Sequence, residues 1–97
     1  MNPNPKLKQP LPLGRIVATP GALRLLAEHN CSFLPFLQRH AFGDWGDLEH
    51  EDKLLNDHAV RTGERVLSSY RVTDLDRIWI ITEHDRSLTT MLLPEEY

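Results

Sequence analysis

The chain has 97 residues, enough for one domain with a modest core. Hydrophobic residues make up 40% and charged residues 26%, ordinary values that exclude wholesale disorder. The 11 Lys+Arg against 14 Asp+Glu leave a net charge of -3, so the positive excess that drives phosphate binding is missing and nucleic acid is not an expected partner.

Residues 1–13 carry Pro3, Pro5, Pro10 and Pro12. Each removes a backbone donor and biases its predecessor away from helix, so the segment reads as a flexible, polyproline-like arm ahead of a single domain over 14–97. Lys6 and Lys8 precede no apolar stretch, which argues against a signal peptide. No apolar run approaches the roughly 18 residues of a membrane span, and the expected compartment is the cytoplasm.

After Gly14, the β-branched run 15–18 predicts a short strand. Thr19 caps a helix with Pro20 at its first position, running to about His29. Leu23, Leu26 and Ala27 form its apolar stripe, with Ala22 beside it, and Asn30 stops it. Cys31 is the one cysteine, which excludes an internal disulfide; it reads as a buried structural thiol. Ser32 caps a second helix, whose stripe is Phe33, Leu34, Leu37 and Ala41, and which ends near His40. Residues 43–47 make a turn around Trp45. Asp47 or Leu48 then opens a third helix to about Thr62. Glu49, Glu51 and Asp52 suit its start, Arg61 suits its end, and Gly63 suits the position just beyond. Leu48, Leu55 and Ala59, with Leu54 adjacent, form a thin stripe.

Beyond Gly63 the apolar period changes from 3.6 to 2. Residues 65–72 set Val66, Ser68, Tyr70 and Val72 against Leu67 and Ser69. Residues 77–82 (RIWIIT) make the strongest strand and should be central. A hairpin over 83–86 leads into a strand over 87–93, which Pro94 ends. Strands joined by such short turns are antiparallel. The fold class is α+β: a short N-terminal strand, three helices, then a three-stranded antiparallel sheet with helices on one face.

The segments GRIVATPGAL (14–23), RHAFGDWGDLEHEDKLLND (39–57), RVLSSYR (65–71) and IWIITEHDRSLTTMLLPEEY (78–97) resemble a family of small bacterial proteins carried on plasmids and other mobile elements. Members are usually labelled plasmid-related, and some carry a label borrowed from a type I restriction methyltransferase subunit. This chain is too short for a methyltransferase fold and has no glycine-rich cofactor loop after a strand. The resemblance implies a mobile-element setting and supplies no mechanism.

Two polar clusters are candidates for chemistry. In residues 40–47 the functional reading makes His40 a general base oriented by Asp44. The preferred structural reading has Trp45 filling the core, glycines making turns and Asp47 capping the next helix. In residues 82–90, Glu83, Arg86 and Thr89 offer a proton acceptor, a bidentate fork and a hydroxyl for a phosphate. The preferred reading there is a solvated turn with Arg86 paired to Asp85 or Glu83. His50, Glu51, Asp57 and His58 are not read as a metal site. The two histidines lie roughly 12 Å apart along a helix, and the i, i+4 pair that zinc uses is missing. No cofactor is expected.

Two functions remain. The favoured one is a non-catalytic protein-binding or regulatory accessory of a mobile element, interfering with host defence. It would use the sheet face or the acidic helix over 48–62, with Asp44, Trp45, Asp47, Asp85 and Arg86 nominated for binding. The alternative is a small metal-independent ribonuclease of the barnase or RelE-like toxin class, an analogy of element order. Its catalytic groups would be His40, Tyr70, Glu83, Arg86 and Thr89. A homodimer through an unpaired sheet edge is left open.

Overall fold

The computed structural model describes residues 7–97. A first strand, β1 (Arg15–Ala18), is followed by three helices, α1 (Pro20–Glu28), α2 (Leu34–Ala41) and α3 (His50–Thr62). Strands β2 (Val66–Arg71), β3 (Arg77–Thr82) and β4 (Leu88–Leu92) come next, then a 3-10 turn over Pro94–Glu96. The class is α+β with three helices, and the period change at Gly63 marks the passage from helix to sheet. The sheet itself differs from expectation. It has four strands in the order β1-β4-β3-β2, and β1 lies parallel to β4 with Ile16 beside Thr89. A parallel partner more than seventy residues away leaves no turn signal in the sequence.

Alternation in β2, β3 and β4 sends Val66, Ser68, Tyr70, Ile78, Ile80, Thr82, Thr89 and Met91 to one face. There α1 supplies Ala22 and Leu26, and α2 supplies Leu37, to a core with Tyr70, Ile78, Ile80 and Met91. The stripe on α1 is therefore centred on Ala22 and Leu26, while Leu23 is 47% exposed. A small residue at 22, fully buried, lets the helix lie close to the sheet. Asn30 takes the left-handed conformation expected of a helix stop, with φ 53°.

On α2, Ser32 Oγ accepts from the Leu34 N–H at 3.2 Å, and the helix begins at Leu34. Phe33 and Leu34 are exposed, so only Leu37 and Ala41 of the expected stripe are buried. The third helix starts later than expected, with Glu49 at its cap. Asp47 caps nothing. Its N–H donates to the Ser69 carbonyl, and its carboxylate faces Arg71 and Arg77 at 3.7 and 3.2 Å.

The expected stripe of α3 is also corrected. Leu54 and Leu55 are exposed, whereas Asn56 and Ala59 are buried. Hydrophobicity did not choose the inner face here; hydrogen bonding did. The Asn56 amide donates to Leu67 O at 2.6 Å and accepts from Leu67 N at 3.2 Å. This pairing ties α3 to the outer edge of β2.

The arm expected over 1–13 is, from Leu7 on, packed against the body; residues 1–6 lie outside the described residues. Leu11 is buried, and the N–H groups of Leu7 and Leu11 donate to Phe42 O and Ala41 O. Leu7, Leu11 and Leu13 join Trp45, Val66, Leu48 and Val60 in a second apolar cluster. Prolines at 10 and 12 suit an extended chain, and leucines on that chain bury it. At the other end, Tyr97 is docked as well. Its ring lies 5.6 Å from that of Trp79, and Arg65 donates to its hydroxyl at 2.9 Å.

Candidate functional site

Two of the candidate residues, His40 and Thr89, meet inside the protein with Ser68 and Thr82. His40, Ser68, Thr82 and Thr89 are all fully buried. His40 comes from the last turn of α2 and reaches over β2 and β3. Its Nδ1 lies 2.6 Å from Ser68 Oγ and its Nε2 lies 2.9 Å from Thr82 Oγ1. Thr82 Oγ1 is 2.7 Å from Thr89 Oγ1, which donates to Leu13 O at 2.7 Å.

These contacts fix the protons. Thr89 has one hydroxyl hydrogen and spends it on Leu13 O, so Thr82 donates to Thr89. Thr82 then offers His40 only a lone pair, so Nε2 carries the imidazole hydrogen. A neutral ring accepts at Nδ1, from the Ser68 hydroxyl. The chain of donors runs in one direction and ends on a backbone carbonyl of the N-terminal segment. Every buried side-chain polar atom among the described residues has a partner.

Burial, helped by the charge of Arg86, pulls the His40 pKa from its ordinary value down to about 3. The imidazole is therefore neutral at physiological pH. Trp45 stands edge-on to His40, with ring centroids 5.7 Å apart, and is 1% exposed. Its indole N–H donates to Asp57 Oδ1 at 2.9 Å. Gly46 follows at φ 77°, where a Cβ would collide with the Ser69 carbonyl. This close approach makes the parallel bridge between Gly46 and Ser69.

The other nominated residues take structural partners. Tyr70 donates its hydroxyl to Asp44 O at 2.6 Å, and burial pushes its phenol upward. Arg39 stacks on the Tyr70 ring, 4.6 Å from its centroid, and pairs with Asp44 at 2.6 Å. Burial alone would raise the Asp44 carboxyl, but the Arg39 hydrogen bond and charge hold it below its usual range.

Arg86 is the largest surprise of the hairpin. It adopts φ 61° and turns its guanidinium away from the acids beside it. Nη1 donates to Glu64 O at 2.6 Å and to Glu83 O at 3.2 Å, and Nη2 donates to Ala59 O at 2.9 Å. It thus closes the C-terminal end of α3, where a cation is favoured. Glu83 pairs with Arg65 at 3.5 Å, and Asp85 accepts from the N–H and hydroxyl of Ser87 at 3.0 and 2.6 Å.

Of the five ribonuclease candidates, His40 and Thr89 are joined through Thr82, Arg86 is near enough for its charge to be felt, and Glu83 and Tyr70 hold other partners. The joined groups lie beneath the surface. A surface groove of about 290 Å³ lies elsewhere, lined by Leu25, Leu75, Asp76, Arg77, Leu93, Pro94 and Glu95. No group of three or more His, Cys, Asp or Glu suited to a metal occurs among the described residues. Nor does any described helix have the length and apolar character to cross a membrane.

Sequence reasoning missed Asn56 and Arg86 as structural anchors. The one available signal was a polar residue, Asn56, at the inward position between Lys53 and Ala59. No protein-family model, curated protein or solved structure matches the chain.

Proposed function

We propose that this chain is a non-catalytic protein-binding module whose contact surface is the outer face of α3. The observation that carries the reading is the pair Leu54 and Leu55, 53% and 65% exposed on a helix whose inner side is held by Asn56 and Ala59. Adjacent leucines exposed on one helix form a contiguous apolar patch of the kind that marks a protein–protein contact. Glu49, Glu51 and Asp52 lie beside them, which suits a partner with a basic rim around an apolar pocket.

The buried network supports the same reading. A base enclosed at His40 and neutral to about pH 3 has no route to a substrate proton. The ribonuclease alternative draws no support from that arrangement. The setting we propose, a cytoplasmic regulator of a mobile element acting on host defence, rests on the family resemblance.

The test is affinity purification from a host that carries the chain, comparing it with a Leu54→Glu, Leu55→Glu double variant. Both positions are exposed, so the variant keeps its fold. A stoichiometric partner captured by the original chain and lost from the variant supports the reading. A partner retained by both, or no partner at all, defeats it.

A further inference from the structure

We propose that β1 is a self-association edge, and that two copies of the chain pair through it, antiparallel, about a two-fold axis at Val17. The argument begins with direction. The N–H groups of Arg15 and Thr19 donate to Ser87 O and Met91 O, both at 3.0 Å. Odd positions of β1 thus point into the sheet, and the backbone groups of Ile16 and Ala18 point out. They have no partner among the described residues. Of the usual guards of an edge strand, the segment Arg-Ile-Val-Ala holds no lysine and no proline, and its one charge is Arg15.

The outward groups choose the register. The register that satisfies both outward residues within the strand sets Ile16 opposite Ala18 of a second copy, and the same pair again by symmetry. Val17 then faces Val17 of the other copy across the axis. Arg15 comes opposite Thr19 of the second copy.

That last juxtaposition identifies the occupant. Thr19 donates its hydroxyl to Glu96 Oε1 at 2.7 Å, and Leu93 N donates to the same oxygen at 2.8 Å. The Thr19 and Leu93 hydrogen bonds hold the Glu96 carboxyl below its usual range, so it is anionic. Its Oε2 has no hydrogen-bond partner among the described residues, and Arg15 has no ion pair there. The register set by the backbone brings Arg15 of each copy to Glu96 of the other, twice. An apolar margin completes the seam. Ile16 is 48% exposed, and Leu23 is 47% exposed on the flank of α1 opposite the groove-lining Leu25.

Sedimentation equilibrium and directed cross-linking test this. The original chain is expected to sediment as a dimer, with association weakened about tenfold or more by Arg15→Glu and by Ile16→Lys while far-UV circular dichroism is unchanged. Combining Arg15→Glu with Glu96→Arg should restore association. In a Cys31→Ser background, Val17→Cys should oxidise to a covalent dimer, because residues paired across such an axis sit about 4.5 Å apart at Cα. Ile16→Cys should not. A chain that stays monomeric overturns the proposal. So does a dimer indifferent to Arg15→Glu and Ile16→Lys, or one in which Cys at 16 cross-links and Cys at 17 does not.

Discussion

Along β2 the outward backbone groups of Leu67 and Ser69 are met by the Asn56 amide and by residues 45–47, whereas along β1 those of Ile16 and Ala18 meet nothing among the described residues. Both are edges of one four-stranded sheet. The guarded edge needed unusual residues: a buried asparagine, a glycine at positive φ and a tryptophan held by its indole N–H. The bare edge is four ordinary residues. An unpaired edge is a template for a further strand, and it is on this difference between the two edges that the association proposed above rests.

Breaking the guard should have the largest effect. Trp45 is 1% exposed and carries the segment that bridges Ser69, so Trp45→Ala should lower the unfolding free energy by about 3–5 kcal/mol in urea titration. Asn56→Ala strips two hydrogen bonds from Leu67 without opening a large cavity. We expect a loss of about 2 kcal/mol, together with concentration-dependent aggregation seen by light scattering, since a second edge becomes available.

The histidine beneath the guard sharpens the comparison through pH. His40 titrates near 6.5 when unfolded and near 3 when folded, so below pH 6.5 the unfolded chain takes up a proton that the folded chain refuses. Its contribution to stability is full above pH 6.5 and is lost as pH falls toward 3, by about 1.4 kcal/mol per unit. Between pH 7 and pH 5 this amounts to about 2 kcal/mol. His40→Gln should flatten that part of the pH dependence, measured by urea titration at both values. An unchanged slope would mean that the ring is not held neutral.

Much of the fold was legible from residue patterns. The three helices, the three later strands, the Thr19 cap, and Gly63 just beyond α3 all follow from local rules. So did the alternation of Val66, Ser68 and Tyr70, and the placing of Trp45 in the core. The α3 stripe was misread because a hydropathy pattern scores Leu54 and Leu55 as inward and cannot see that Asn56 has a backbone to bind. Likewise Arg86 was paired with its neighbours Asp85 and Glu83, because sequence distance was the only distance on hand.

What the chain decided by itself is whatever depends on neighbours within a turn or two: the change of period at Gly63, the capping residues, and the hairpins that make β2, β3 and β4 antiparallel. The tertiary structure decided the rest. It placed β1 against β4, closed α3 with Arg86, docked Leu11, and enclosed His40 between Ser68 and Thr82. Each of those contacts joins residues more than twenty positions apart, and its free energy exists only after desolvation. Burial is what turns an imidazole from a base into a neutral strut, and no local pattern records burial.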